Sequence, residues 1–209
     1  MNTKKRILFI CALMSPLFWY SPCPGEDWPS YQHDNRRSGI SGEKLDMPCR
    51  AIWTHRSRHT PQPAWPAPAK ADFWHDLTSL NPLITYDRTF ETVVAGRYLY
   101  FASSADGKVY CLDVEKGTEH WHFFTQAPVR LAPAIYGEKL LFGSDDGQVY
   151  CLDRENGRLL WKVSLPESQQ YVMGNERMIS SVPCRTGVLV DDGDRKSTRL
   201  NSRHRIRSR

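Results

Sequence analysis

The sequence has no apolar run long enough to cross a membrane. The stretch from Ile7 to Tyr20 has 14 residues, whereas a membrane-spanning helix needs about 20. A basic start at residues 4–6 precedes this stretch, and two prolines followed by two acids end it. This order is typical of a secretory signal peptide. We therefore expect residues 1–25 to be cleaved, and the mature chain to be periplasmic or otherwise exported, without a transmembrane span.

Common catalytic motifs are also absent. The sequence contains no Gly-x-Ser-x-Gly elbow, no His-Glu-x-x-His metal helix and no glycine-rich phosphate loop. These absences disfavour the hydrolases, metalloproteases and nucleotide-binding proteins that carry those motifs.

The basic net charge of the whole chain comes from its ends. The chain carries +5, yet residues 195–209 hold seven Arg or Lys and no acid, and residues 26–194 carry 18 bases and 23 acids. The folded part is therefore mildly acidic, and we expect no nucleic-acid partner. Residues 194–202 resemble a translated sequencing adaptor. We expect residues 194–209 to be an artefactual or disordered tail, residues 195–209 to pack against nothing, and the natural protein to continue past 193. The alternative is a genuine basic arm for anionic partners.

An internal repeat with a period of 40 residues is the strongest pattern in the sequence. Asp-Gly-Lys-Val-Tyr-Cys-Leu-Asp at 106–113 recurs as Asp-Gly-Gln-Val-Tyr-Cys-Leu-Asp at 146–153, and a Gly and a Trp follow at the same offset. The residues of this structural repeat motif are Asp106, Gly107, Asp113, Gly117 and Trp121 in one copy, and Asp146, Gly147, Asp153, Gly157 and Trp161 in the next.

Each copy of the repeat predicts four short antiparallel strands. The Asp-Gly pairs indicate hairpin turns, because glycine accepts the positive φ that such turns need, and the apolar runs beside them predict strands. A period near 40 with this content is typical of a β-propeller blade. We therefore predict an all-β fold in which residues 26–193 form part of a propeller ring. Residues 82–124 and 125–165 are two complete blades, and a third begins at about 179.

The segment Cys-Leu-Asp-x-x-x-Gly-x-x-x-Trp, at 111–121 and again at 151–161, resembles the tryptophan-docking motif of PQQ-type propeller repeats. In this motif the Asp bonds turn amides, the Gly takes the left-handed conformation, and the Trp packs between neighbouring blades. We expect Trp121 and Trp161 to be equivalent in space and largely buried. Residues 51–54 resemble the closing strand of a blade whose other strands come from the chain's end. The resemblance implies seven or eight blades in the full-length protein.

Proteins with PQQ-like repeats include noncatalytic scaffolds and quinone-dependent dehydrogenases. The similarity to BamB-like outer-membrane assembly proteins implies an exported binding or scaffold role, with other proteins or a small ligand bound at the propeller face. The alternative is the N-terminal part of a PQQ-dependent dehydrogenase. Alcohol dehydrogenases of that kind use a vicinal disulfide, and the sequence has no Cys-Cys pair. We favour the binding role and assign no catalytic residue, no metal, no cofactor and no cofactor-binding residue. PQQ is expected only if the full-length protein is a dehydrogenase.

The cysteines indicate buried packing rather than metal binding. Cys49, Cys111, Cys151 and Cys184 follow the predicted signal peptide without zinc-ligand spacing. Cys111 and Cys151 occupy the same repeat position, which favours two buried residues over a disulfide between them. The sequence leaves the states of Cys49 and Cys184 open.

Two pairs of histidines suggest a metal site at first sight. His120 and His122 lie on one face of a predicted strand, and His55 and His59 lie in a basic loop. Neither pair has a third ligand close in sequence. We interpret all four as solvated residues.

Three other segments have simpler interpretations. The acidic pairs at 145–146 and 191–192 lack the alternating oxygens of a calcium loop, and we interpret them as turn residues. The Pro/Ala-rich residues 61–71 predict an extended linker. Residues 166–178 predict a polar insertion between strands, and such insertions often carry function in propellers.

Blade packing predicts the behaviour of the chain in isolation. Each blade packs mainly on its neighbours, so two complete blades leave both flanks open. We therefore expect this chain alone to fold poorly and to bind no PQQ.

Overall fold

The computed structural model describes residues 25–45, 47–62, 90–174 and 177–191, together with the backbone of 194–197 and 205–206. Residues 1–24 of the predicted signal peptide and most of the predicted linker at 61–71 lie outside the described residues. Every regular element in the described part is a strand, and none of it forms a helix that could span a bilayer.

The strands are short, as expected for propeller blades. They are β1 Thr92–Ala95, β2 Tyr98–Ser103, β3 Lys108–Asp113, β4 Glu119–Phe124, β5 Ala134–Tyr136, β6 Lys139–Gly143, β7 Gln148–Asp153, β8 Leu159–Ser164, β9 Tyr171–Gly174, β10 Arg177–Ser180, β11 Val188–Asp191, β12 Asp194–Ser197 and β13 Arg205–Ile206.

Two four-stranded antiparallel sheets correspond to the two copies of the repeat. Sheet one has the order β1-β2-β3-β4, and sheet two has the order β5-β6-β7-β8. Trp121 pairs with Cys111 in sheet one, Trp161 pairs with Cys151 in sheet two, and the register shifts after the cysteine in both. The two tryptophans are therefore equivalent within their sheets, and both are partly buried. The all-β, four-stranded architecture is as predicted.

The core lies between consecutive sheets because side chains alternate along each strand. In sheet two, Leu140, Phe142 and Tyr150 point into a cluster shared with sheet one. Leu141 and Cys151 each follow one of these residues in the chain, so their side chains point to the opposite face of the sheet. There they join a second cluster, shared with β11. The inner strands of sheet two, β6 and β7, are buried on both faces, which explains why the middle of each is continuously apolar or aromatic. Stacking of this kind is what holds consecutive blades together.

The residues after sheet two differ from two of the expectations. β9 and β10 form a two-stranded hairpin within the segment predicted as a polar insertion, and its exposed side chains are mainly apolar. The backbone of β12 pairs with β11, and that of β13 pairs with β12. The expectation that the basic tail packs against nothing is therefore wrong for these two segments, whose backbone groups complete a sheet. The origin of residues 194–209 stays a prediction.

The described part of the chain contains four cysteines, Cys49, Cys111, Cys151 and Cys184. Cys111 and Cys151 are fully buried, in different clusters. Burial raises the pKa of the Cys111 thiol to about 12, so this thiol stays protonated and unreactive at neutral pH. Cys184 is buried beside Gly143, and Cys49 is exposed.

Candidate functional site

The turn after β3 is stabilised by the Asp of the repeat motif, and the turn after β7 is built in the same way. Oδ1 of Asp113 accepts hydrogen bonds of 3.0 Å from the amides of the second and third residues after it. Oδ1 of Asp153 accepts the equivalent bonds at 3.0 and 3.3 Å. Gly117 and Gly157 follow with φ of 65° and 71°, a left-handed conformation in which a side chain is strained.

A tryptophan from the preceding segment lies directly on each of these glycines. A Cβ on Gly117 would lie 2.5 Å from the ring of Trp53, and a Cβ on Gly157 would lie 2.7 Å from the ring of Trp121. Only glycine therefore lets the rings approach this closely. The indole N–H of Trp53 donates to the Val114 carbonyl oxygen at 2.6 Å. The indole N–H of Trp121 donates at 3.1 Å to the carbonyl oxygen of Arg154, which lies 40 residues after Val114 in the equivalent position.

These contacts define two junctions of the same design. In the first junction, residues 51–59 lie against sheet one. In the second junction, β4 lies against sheet two. Sequence analysis linked residues 51–54 to a closing strand, but gave no sign of which sheet they would contact.

The residue two positions after each tryptophan covers a stacked aromatic pair. In the second junction Phe123 lies 6.4 and 5.8 Å from the ring centroids of Phe142 and Tyr150, which stack on each other at 5.3 Å. In the first junction His55 lies 5.4 and 6.3 Å from the equivalent rings, which stack at 4.9 Å. The first junction therefore has an imidazole where the second has a phenyl ring.

The Asp-Gly hairpins also differ between the two sheets. Asp146 is buried; its Oδ1 accepts the Gln148 amide at 2.9 Å and its Oδ2 accepts the Tyr150 hydroxyl at 2.6 Å. Oδ2 of Asp106 likewise accepts the hydroxyl of Tyr110. Oδ1 of Asp106 is buried without any hydrogen-bond partner in the structure. The turn before Asp106 is one residue longer than the turn before Asp146.

A buried ion cluster at the hairpin of sheet two was missed by sequence analysis. Asp145 is fully buried. Its carboxylate accepts a hydrogen bond of 2.6 Å from Nε of Arg130. It also accepts hydrogen bonds of 2.9 and 3.2 Å from Nε and Nη2 of Arg185. The cluster ties the loop before β5 and the loop before β11 to the same hairpin. The two arginines lie 15 and 40 residues from the Asp, so no local pattern indicated them.

The histidines form ordinary contacts and no metal cluster. His120 stacks on Tyr98 at 4.8 Å, and its Nε2 lies 3.1 Å from a main-chain carbonyl oxygen. His122 is paired with Glu119 at 2.6 Å. No group of three or more potential metal ligands occurs among the residues that the structure describes.

The β9–β10 hairpin carries a conspicuous exposed apolar surface. The side chains of Met173 and Met178 face each other across the hairpin and are 71% and 56% exposed. Val172 is also largely in solvent. The base of the hairpin is fixed, because the Ser180 amide donates to the Asp145 carbonyl oxygen at 2.8 Å. A rigidly held apolar patch of this kind is typical of a protein-binding site.

Comparison with protein families identifies one match. The family described as outer membrane protein assembly factor BamB matches residues 50–204, which include both sheets and both junctions. No curated protein sequence matches the chain.

Two solved structures illustrate the likeness in fold. BamB from Moraxella catarrhalis is 16% identical, with a TM-score of 0.41, over 56% of this chain and 32% of that one. The quinohemoprotein alcohol dehydrogenase from Comamonas testosteroni is 18% identical, with a TM-score of 0.54, over 81% of this chain and 22% of that one. At such identities the likeness concerns the fold alone. This likeness confirms the predicted β-propeller fold. The chain spans about a third or less of the length of each of these two solved structures.

Proposed function

The chain belongs to the family of the outer membrane protein assembly factor BamB, and we propose that it is an exported β-propeller scaffold that binds other proteins without catalysis. The observation that carries this proposal is the family match over residues 50–204, because that family is described by an assembly role. The export of the chain, with cleavage near residue 25, belongs to the same proposal.

The two junctions provide the rigid frame that a scaffold needs. We infer that Trp53 and Trp121 act as tryptophan-docking residues, each closing one blade onto the next through a glycine contact and an indole hydrogen bond. In this arrangement residues 51–54 take the place of the outer strand of a preceding blade. Loops held on such a frame keep a fixed geometry, which favours binding without a large entropic loss.

The β9–β10 hairpin is the best candidate for partner binding. It exposes Met173 and Met178 at its surface, and methionine side chains adapt to partner surfaces of varied shape. An exposed hairpin edge can also pair with a strand of a partner. We therefore place the protein-binding surface at this hairpin.

The test is capture of outer-membrane assembly components by the exported chain in a Gram-negative host. We expect Met173→Asp to lose this capture, because a charge within the apolar contact is costly to desolvate. Met47→Asp is the matched control, since Met47 is 79% exposed and its sulfur contacts that of Cys49 at 3.5 Å. Equal capture by both variants would remove the hairpin from the proposal. Absence of such components with the unchanged chain would contradict the scaffold role.

Titration with PQQ separates the scaffold from the quinoprotein alternative. A cofactor on the ring axis draws contacts from many blades, so we expect no saturable PQQ binding by this chain. PQQ binding together with dehydrogenase activity in the full-length protein would establish the alternative.

A further inference from the structure

A cavity of about 370 Å³ lies between residues 55–59 and the strands β3 and β4, at the first junction. Its size falls within the range of small-ligand pockets. It lies beside His55, which is exposed and occupies the position of Phe123 of the second junction. The charged side chains at its wall are Arg56, Arg58, Asp106, Lys108 and Glu119, and Glu119 is paired with His122.

Three permanent positive charges surround the cavity. Arg56 and Arg58 are exposed, and neither forms an ion pair with any residue that the structure describes. The ammonium of Lys108 lies 3.9 Å from Asp106 and over the ring of Phe124, 4.6 Å from its centroid. The guanidinium fork matches the oxygens of a phosphate group, and the ammonium adds a point charge. The charge and geometry of these groups fit an anion with several oxygens.

The wall of the cavity also contains an unsatisfied acceptor. Oδ1 of Asp106 is buried without a hydrogen-bond partner among the described residues, and leaving a buried acceptor unpaired destabilises the fold. In sheet two the equivalent oxygen is satisfied by the Gln148 amide at 2.9 Å. A ligand hydroxyl can supply the missing donor at the first junction. The ligand that fits therefore has both a phosphate and hydroxyl groups.

We propose that this cavity binds the phosphate ester of a small polyol. Arg56, Arg58 and Lys108 hold the phosphate, and Asp106 accepts a hydrogen bond from a ligand hydroxyl. The site goes beyond the scaffold role and does not depend on it, because none of the residues at its wall belongs to the β9–β10 hairpin. The same chemistry occurs in a free polyol phosphate and in a glycerophosphate lipid headgroup.

Calorimetric titration of the full chain with glycerol 3-phosphate, inorganic phosphate and glycerol tests the site. We expect glycerol 3-phosphate to bind with a dissociation constant of about 1 mM or lower, inorganic phosphate to bind more weakly, and glycerol not to bind. Binding should weaken as salt is added, because the contacts are partly exposed charges. No saturable binding of glycerol 3-phosphate, or equal binding of inorganic phosphate, would overturn the proposal.

Two variants and one control locate the binding. The double variant Arg56→Ala/Arg58→Ala should lose at least about tenfold in affinity, as expected for removal of charged hydrogen bonds. Lys108→Gln introduces the residue found at the equivalent position of sheet two and should lose affinity as well. Lys162→Gln removes an exposed charge of sheet two and should leave affinity unchanged. Matching tryptophan fluorescence spectra show that the variants keep the fold. Unchanged affinity in the double variant would overturn the proposal.

Vesicles distinguish the two sources of the ligand. Sedimentation with phosphatidylglycerol vesicles, displaced by glycerol 3-phosphate, would support the site and assign it to a lipid headgroup. Binding of soluble glycerol 3-phosphate without vesicle binding would support the site and assign it to a free polyol phosphate. Vesicle binding that glycerol 3-phosphate does not displace would mean attraction to the surface charge only, and would contradict the proposal.

Discussion

The first and second junctions share one docking geometry but differ in what fills the space beside it. In both, a tryptophan ring lies on a left-handed glycine and its indole N–H reaches the carbonyl of the same repeat position. Beside the tryptophan ring, the second junction is closed to solvent, because Tyr150 and Asp146 are both buried. In the first junction the side chains of the equivalent Asp106 and of Lys108 are 21% and 23% exposed.

The difference separates the part of the junction that holds the fold from the part that is free to change. The contact of the ring with glycine is kept in both places because the close packing of two blades requires it. The position two residues after the tryptophan is occupied by a phenyl ring in one junction and by an imidazole in the other. At the first junction, where this position is His55, a cavity with a basic wall lies beside the imidazole.

The largest loss of stability is expected from Asp145→Asn. Sheet one has no carboxylate cluster of this kind, so the variant removes a feature that only sheet two possesses. Breaking a buried ion pair on one side costs about 3–5 kcal/mol, because the remaining charges stay in a region of low dielectric. Urea unfolding of the full-length protein measures the change, because two complete blades alone are expected to fold poorly. The same protein is used for the stability measurements below. Glu138→Gln is the control, since its pair with Arg154 is exposed and should contribute less than about 1 kcal/mol. Equal effects would mean that the buried cluster does not hold the loops together.

A smaller loss is expected when the covering residue of each junction is removed. Phe123→Ala should cost about 2–3 kcal/mol, less than a fully buried phenylalanine, because its ring is only partly buried. His55→Ala should cost less than about 1 kcal/mol, because its junction already has solvent around it. Equal losses of unfolding free energy in urea would contradict the account that the second junction is closed to solvent and the first is open to it.

Sequence analysis predicted the parts of this comparison that repeat locally. The strands, the Asp-Gly hairpins and the equivalence of Trp121 and Trp161 all follow from residues within one period of 40. The contact of His55 with sheet one, and the pairing of Asp145 with distant arginines, depend on how separate segments come together in space. Asp145 was interpreted as a turn residue because its neighbours in sequence form a turn, and its true partners lie in other loops.

A pH-dependent effect is expected at the turn after β3. The hydrogen bond from Arg97 lowers the pKa of Asp113 below its ordinary value of 3.8. A lowered pKa in the folded state stabilises the fold above the ordinary value, and the gain is lost as the pH falls through the folded value. The melting temperature of the unchanged chain should exceed that of Asp113→Asn at pH 6, and the difference should shrink below pH 3.8. A difference that stays constant down to about pH 2 would contradict the carboxylate as its cause.

The claim that the two junctions are equivalent depends on the glycines beneath the tryptophans. Gly117 and Gly157 have positive φ, and so do Gly96 and Gly137, with φ of 57° and 54°. A Cβ on either of the last two meets nothing within 4 Å. Alanine at Gly96 or Gly137 therefore measures backbone strain alone, about 1–2 kcal/mol.

The most direct measurement is urea unfolding of the four single glycine-to-alanine variants. The account predicts that alanine at Gly117 and at Gly157 each costs at least about 1 kcal/mol more than alanine at its control, because the added methyl displaces a docked indole ring. Tryptophan fluorescence should shift to longer wavelength in the same two variants. If Gly157→Ala showed the extra cost while Gly117→Ala matched Gly96→Ala, residues 51–59 would not be docked on sheet one as β4 is docked on sheet two.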